Sequence, residues 1–243
     1  MKITWLGQLS LLIETAGMTL MVDPYLTDSI YDRLGEDYRR RIPMRPEYLD
    51  AEPDGILLTH DHSDHLDIPS LKALLDGRQS IPVLAGARAW EKVRTEVGGC
   101  HNYIQMVPGT EWTLGDIRIR AVTAYHSDPT AIGFVLRAEG LTLYITGDTL
   151  FSRELIRQVD EPVDILITVV NGRGNNMNGT DAARLAEGLR AGLSIPVHWG
   201  LFSVFGDTPE EFLTACRKGN RRAYAAEIYE TVDTENLLKE GKS

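Results

Sequence analysis

The chain has 243 residues, 43% of them hydrophobic, which is enough to bury one sizeable core, so we expect a single domain over residues 1–243. Its formal charge of −10 would repel a phosphate backbone, so no nucleic-acid partner is expected. The first 14 residues are interrupted by glycine and polar residues and have neither a basic leader nor a bilayer-length apolar run. We therefore expect a cytoplasmic protein without a membrane partner.

The first half of the chain predicts strands followed by helices. Apolar or alternating runs separated by glycine-containing turns predict an antiparallel meander at 2–6, 9–14 and 18–22. A polar stretch at 29–50 includes Arg39-Arg40-Arg41, which we interpret either as a lid or, preferably, as a solvated run balanced by Glu36 and Asp37. A compact apolar strand at 55–59 then leads directly into the segment THDHSDHLD. Helical patterning follows at 68–75 and 87–97.

The second half repeats this arrangement. Strands are predicted at 111–114, 117–123, 131–137, 141–146, 164–169, 194–198 and near 223–228. Helices are predicted at 179–193 and 208–217. Two similar halves of strands and helices predict an α/β fold with two sheets packed between helical layers.

Metal-binding residue types are concentrated directly after the strand at 55–59. Residues 60–65, HDHSDH, contain three imidazoles and two carboxylates, a cluster that is costly to hold together without a cation. Imidazole and carboxylate are ligands preferred by zinc and its first-row neighbours, and the chain has no CxxC pair for a structural thiolate site. The alternating positions of His60, His62 and Asp64 let neighbours face different ways, so the turn can serve two adjacent ions.

Three further candidate ligands follow predicted strands, where functional sites are usually assembled. His126 follows the strand at 117–123, and His198 ends the strand at 194–198. Asp148 lies in ITGDT, where we expect the glycine to let the backbone approach an ion. The alternative role for Asp148 is to cap a helix that starts near Ser152.

The order of these candidate ligands resembles that of the metallo-β-lactamase superfamily over nearly the whole chain. It consists of HxHxDH, a distant strand-end histidine, an aspartate after a glycine and a final histidine. The resemblance implies a four-layer αβ/βα sandwich with two divalent metal ions, zinc or manganese first and iron as a further option. It implies one metal site from His60, His62 and His126, a second from Asp64, His65 and His198, and Asp148 bridging both. It also implies that Asp23 and Asp54 support the ligands.

The segments WLGQLSLLIE, VDP, AYHS, TGDT, NGR, NNMN and IPVHWG resemble the branch of this superfamily that includes L-ascorbate-6-phosphate lactonase. Gln8 stands where many relatives carry histidine. Position 62 is histidine rather than the glutamate of the diiron flavoprotein relatives, which favours a hydrolytic site over an oxygen-reducing one.

These observations predict a metal-dependent hydrolase that opens a lactone or cleaves an ester of a small polar metabolite, with or without a phosphate group. A metal-dependent phosphodiesterase is the alternative, and a noncatalytic metal-binding protein is a third reading. Asp64 is the candidate for orienting the attacking water and accepting its proton. In the loop at 171–178, Arg173 and Asn178 are candidate substrate contacts, although Asn178 could instead only cap the following helix. The sequence leaves homo-oligomer formation open.

Overall fold

The computed structural model describes residues 1–205 and 207–240, in which runs of strands are followed by helices, as the sequence predicts. The strands are β1 (Lys2–Gly7), β2 (Ser10–Thr15), β3 (Met18–Val22), β4 (Gly55–Leu58), β5 (Pro82–Ala85), β6 (Asn102–Gln105), β7 (Glu111–Leu114), β8 (Ile117–Thr123), β9 (Ile132–Ala138), β10 (Leu141–Ile145), β11 (Ile165–Val169), β12 (Leu193–Val197) and β13 (Thr231–Asp233). The helices are α1 (Ser29–Leu34), α2 (Ile68–Leu75), α3 (Ala87–Glu96), α4 (Glu154–Arg157), α5 (Gly179–Leu189), α6 (Glu210–Lys218) and α7 (Thr234–Glu240).

Two mixed sheets form the centre of the fold. The first has the strand order β13-β1-β2-β3-β4-β5-β6, and the second has the order β12-β11-β10-β9-β8-β7. In each sheet, antiparallel pairing gives way to parallel pairing, from β3 to β6 in the first and from β10 to β12 in the second. The fully buried strands β4, β11 and β12 are mostly apolar, as is typical of strands covered on both faces.

Alternation along β4 shows how the first sheet lies between two layers. Leu57 belongs to the large core between the sheets, whereas Ile56 and Leu58 face a second cluster with Leu71 and Leu74 of α2. On the other side of the molecule, α5 and α6 pack with the second sheet in the large core. The predicted α/β four-layer sandwich is confirmed. Within the described residues, no helix combines the length and apolarity needed to cross a membrane.

Two predicted boundaries near the C-terminus are wrong. The helix expected over 179–193 ends at Leu189, because Arg190 takes a left-handed conformation and β12 begins at Leu193. The strand expected near 223–228 is reduced to one bridge between Ala223 and Ser194, since the chain turns back at Glu227. Strand β13 follows this turn and pairs with β1 instead.

The polar stretch at 29–50 is more ordered than its composition suggests. It contains α1 and two short 3-10 turns, at Glu36–Tyr38 and Pro46–Tyr48. Arg40 is 7% exposed and its guanidinium lies over the Tyr25 ring, so the interpretation of the arginine run as entirely solvated is wrong at this position. Arg39 pairs with Glu36 at 2.7 Å, as expected.

Candidate metal centre

The predicted ligands follow strands whose ends meet at one edge of the two sheets. Residues 60–65 follow β4, His126 follows β8, Asp148 follows β10 and His198 follows β12. Strands β8 and β10 both run antiparallel to β9 and therefore point the same way, and β12 is parallel to β10 through β11. The topology thus brings side chains from both sheets together at the carboxyl ends of these strands.

The first ligand group consists of His60, His62 and His126, whose ligand atoms all lie within 4.8 Å of one another. His62 Nδ1 is 3.1 Å from His126 Nε2. His60 is fully buried, and its Nε2 has no hydrogen-bond partner within the described part of the chain. Three ring nitrogens therefore converge on one small space.

The second ligand group consists of Asp64, His65 and His198, whose ligand atoms also lie within 4.8 Å of one another. His65 Nε2 is 3.1 Å from His198 Nε2, and Asp64 Oδ2 is 3.4 Å from the same His198 nitrogen. His198 adopts a φ of 63°, a left-handed conformation that is uncommon for a residue with a side chain and often marks a functional position.

Asp148 lies between the two ligand groups. Its Oδ1 is 3.4 Å from His65 Nε2, and its Oδ2 is 3.3 Å from His198 Nε2 and 3.9 Å from His126 Nε2. The glycine before it has a different role from the one we expected. A Cβ on Gly147 would stand 2.6 Å from the backbone oxygen of Ile132, so the close approach is to β9 rather than to an ion.

The chemistry of these residues fits bound divalent cations. Two nitrogens about 2.0–2.1 Å from one tetrahedral zinc ion are about 3.3–3.4 Å apart, close to the nitrogen separations in both groups. Among the described residues, His60 Nε2 and Asp148 Oδ1 are buried without a hydrogen-bond partner, an arrangement that is costly unless a cation satisfies them. Each group therefore has the donor set of a cation site.

The pKa values differ between the two groups. Burial lowers the pKa of His60 and His126, so both imidazoles favour the neutral, ligand form. Burial acts in the same direction on His198, but the carboxylates of Asp148 and Asp64 outweigh it and raise the pKa of this histidine to about 9. Burial raises the pKa of the Asp64 carboxyl, but the neighbouring charges of His65 and His198 outweigh it and hold that pKa well below its usual range.

Asp23 orients one ligand of the second group. Its Oδ2 lies 2.8 Å from His65 Nδ1, and its Oδ1 accepts a hydrogen bond from Thr59 N at 2.7 Å. An Nδ1–H that donates to Asp23 leaves His65 Nε2 free to bind a cation. Asp54 does not share this role, because it accepts from Thr19 N at the opposite ends of β3 and β4.

The loop at 171–178 reaches the ligands through residues that sequence reasoning did not select. Asn176 Nδ2 donates to Asp148 Oδ2 at 2.7 Å, and the Asn171 carboxamide lies 3.0 Å from His198 Nδ1. A histidine that binds a cation through Nε2 carries its proton on Nδ1, and the Asn171 oxygen can accept that proton when it faces the ring. The only sequence signal for these residues was the asparagine-rich composition of the loop.

The two predicted substrate contacts in this loop lie on its exposed side. Arg173 Nε donates to Asp207 Oδ1 at 3.0 Å, and the guanidinium lies 5.3 Å from the centre of the Phe205 ring. The Asn178 side chain accepts from Asp181 N at 2.8 Å and therefore caps α5. The structure brings neither side chain into contact with a ligand, and their roles in substrate binding stay predictions.

Comparisons with known proteins agree with this fold and with a metal-dependent hydrolase. Residues 21–199 match the family model described as "Beta-lactamase superfamily domain". A UPF0173 metal-dependent hydrolase of Geobacillus sp. (strain WCH70) is 31% identical over 90% of this chain and 94% of its own length. Another, from Shouchella clausii (strain KSM-K16), is 28% identical over 96% of this chain and all of its own length. The solved structure of Igni18, a metallo hydrolase of Ignicoccus hospitalis, superposes with a TM-score of 0.74 at 20% identity over 95% of this chain and 97% of its own.

The paired ligand groups at the edge of two mixed sheets define a metal-dependent hydrolase of the β-lactamase superfamily. The match to the family model spans most of the chain, and the Geobacillus relative is more than 30% identical over nearly all of it. The chain therefore belongs to the β-lactamase superfamily and, within it, to the UPF0173 metal-dependent hydrolases.

Proposed function

We propose that this protein uses two divalent cations, zinc or manganese in the first instance, to open a lactone or cleave an ester of a small polar, phosphorylated metabolite. The observation that carries the proposal is the position of Asp148, whose Oδ2 lies 3.3 Å from His198 of the second group and 3.9 Å from His126 of the first. A carboxylate so placed joins two cation sites into one centre.

When bound, such cations lower the pKa of a water molecule towards about 7 and polarise the substrate oxygen that becomes negative. The ligand groups hold the reacting centre between the two sheets. Asp64 is 23% exposed at its side chain, so its carboxylate can reach both the cation site and entering water. In this proposal Asp64 orients the attacking water and accepts its proton.

A small anionic metabolite is the proposed substrate because of two exposed side chains in the loop at 171–178 and the resemblance to the lactonase branch. Arg173 uses Nε for Asp207, which leaves the terminal nitrogens of its guanidinium to donate to a phosphate. Asn178 accepts its helix-capping bond through Oδ1, so its Nδ2 remains able to donate to the same ligand. Both residues are exposed, as a contact with an entering substrate requires.

Replacing the proposed proton acceptor tests the reaction. Asp64→Asn removes a proton acceptor but keeps an oxygen ligand, so turnover of a lactone panel should fall by about 10²–10⁴-fold while most of the metal stays bound. Asp61→Asn is the matched control, because Asp61 lies in the same loop and contacts Lys92 through its backbone carbonyl. Near-normal kcat in Asp64→Asn would remove the assigned role.

The choice of substrate is tested separately. Steady-state assays on lactones and on bis-p-nitrophenyl phosphate distinguish the lactonase from the alternative phosphodiesterase. Faster cleavage of the phosphodiester than of any lactone would favour the phosphodiesterase. Arg173→Ala should raise KM for phosphorylated substrates far more than for neutral analogues, since only the former lose a charge-assisted hydrogen bond. Equal effects on both substrate types would defeat the phosphate contact.

A further inference from the structure

Gln8 is a buried polar residue in the turn between β1 and β2, far in sequence from the ligands. It is 3% exposed, and its φ of 47° lies in the left-handed region. The register between β1 and β2 also shifts at this turn, between Trp5 and Gly7. A buried side chain of this polarity in a strained backbone needs hydrogen-bond partners to offset its cost.

The side chain of Gln8 finds its partners in the second ligand group. Its Nε2 donates to Asp64 Oδ2 at 2.7 Å. The same nitrogen is 3.5 Å from His198 Nδ1 and 3.4 Å from His198 Nε2. Near-equal distances to both ring nitrogens place the amide over the face of the imidazole, because an in-plane approach would collide with the carbon between them.

The backbone of Gln8 holds the same region independently of the side chain. Its carbonyl oxygen accepts from His198 N at 2.9 Å and from Trp5 Nε1 at 2.8 Å. Any residue at position 8 can keep these two contacts. Side-chain and backbone contributions are therefore separable by substitution.

We propose that Gln8 is a positioning residue that fixes the Asp64 carboxylate and the His198 ring in the orientation in which they bind the second cation. The inference rests on the proposed two-cation function. An amide donor fixes the rotation of the carboxylate without adding positive charge beside a cation, whereas lysine or arginine would compete with the ion for Asp64. The donor comes from the first sheet and His198 from the second, so Gln8 also ties the ligand group across the sheet interface.

Two substitutions distinguish positioning from a merely structural role. Gln8→Met keeps the length of the side chain and leaves the backbone contacts of residue 8 in place, but it removes the amide donor. Gln8→Asn keeps an amide and suits the left-handed turn better, because asparagine tolerates positive φ, but its shorter side chain falls short of Asp64. The matched control is Gln158→Met, which removes two hydrogen bonds to Thr123 away from the ligands.

The experiment titrates the metal-free full chain with zinc and follows binding by calorimetry, with kcat and KM measured after loading. His62→Ala identifies the binding step of the first ligand group, because it removes a ligand of that group. We expect both Gln8 variants to bind one ion as the wild type does and the other about 10–100-fold more weakly, the usual cost of losing a partner behind a ligand. At limiting zinc, kcat should fall while KM stays within about twofold, and Gln158→Met should keep both affinities.

Wild-type affinities for both ions in the two Gln8 variants would overturn the inference and leave the proposed function intact. An equal loss of zinc affinity at both sites, with a loss of thermal stability as large as that of Gln158→Met, would also overturn it. A wild-type chain that binds fewer than two ions would contradict the proposed function itself.

Discussion

The two ligand groups share Asp148 but are supported differently. In the first group, His62 Nε2 lies 3.3 Å from Ser127 Oγ, and His126 Nδ1 lies 3.3 Å from the backbone oxygen of Asn175. His60 is the better supported member of this group, with Nδ1 2.9 Å from Thr59 Oγ1. In the second group, a buried carboxylate contacts a ligand directly, with Asp23 2.8 Å from His65, and Gln8 lies 2.7 Å from Asp64.

Because the supporting contacts differ, we expect the two ligand groups to bind a cation with different affinities although their ligand geometry is similar. The second group contains its own carboxylate, and its side chains are held in place before an ion arrives, so it should bind the cation more tightly at alkaline pH. In the first group, two of the three imidazoles, His62 and His126, have only long supporting contacts, so this group should exchange its ion more readily.

The largest expected effect comes from removing both ions. Each ligand group takes side chains from both sheets, so bound ions would link the two halves of the fold. At a free concentration 100 times its Kd, each ion stabilises the native state by about 2.7 kcal/mol, or roughly 5–11 °C in Tm for a chain of this size. Thermal unfolding with and without a chelator measures this, and an unchanged Tm would mean that ions do not bridge the sheets.

Removing the partner behind a ligand should affect the two groups unequally. Asp23 contacts His65 directly and His60 only through Thr59. Asp23→Asn should therefore weaken binding at the second group by about 10–100-fold and at the first group less. Ser127→Ala removes the long hydroxyl contact to His62 and should change affinity much less. Metal titrations of both variants compare the groups directly, and a larger loss in Ser127→Ala would reverse the assignment of the better supported group.

The affinities of the two ligand groups for a cation should depend differently on pH. Because the pKa of His198 is raised to about 9, this ring carries a proton at neutral pH that a cation must displace. The carboxylates of Asp148, Asp64 and Asp23 outweigh burial and raise the pKa of His65 as well. Affinity at the second group should therefore rise between pH 7 and 9, about tenfold per pH unit for each displaced proton. Burial keeps His60 and His126 neutral, so the first group should depend less on pH between 7 and 9. Calorimetric titrations across that range test the sign, and parallel curves for both ions would contradict it.

The smallest effect is expected from substitutions of Asn178, which should leave the affinities of both ligand groups for metal unchanged. Asn178→Ala removes the cap of α5 and should cost about 1 kcal/mol of stability. Asn178→Asp keeps the capping oxygen but loses the donor, so it should retain stability while raising KM for an anionic substrate. A change in metal binding in either variant would show that this loop residue acts on the centre itself.

The sequence predicted the ligands better than their supports because metal-binding residue types are chemically distinctive. His60, His62 and His65 form a dense cluster, and His126 and His198 follow apolar strands, so local patterns identified them. Gln8, Asn171 and Asn176 were missed because an amide is compatible with almost any environment. Their contacts arise only when the two sheets pack together.

Most strands were predicted from local apolar or alternating patterns, but three were missed. One of them, β5, is apolar throughout but has only four residues. The predicted strands at 18–22 and 111–114 have the bounds that the structure gives β3 and β7. Strand β6 is missed because it has no buried position, and β13 because it has only three residues. Pairing with β5 and with β1, respectively, makes these segments strands, and pairing partners cannot be seen in a local pattern.

The most direct test of the two-cation centre is elemental analysis of the purified, metal-reconstituted protein, with hydrolysis assays across lactones, phosphodiesters and β-lactams on the same preparation. We expect about two divalent ions per chain and lactone hydrolysis by the same preparation. No bound metal, together with no activity after addition of zinc or manganese, would contradict it.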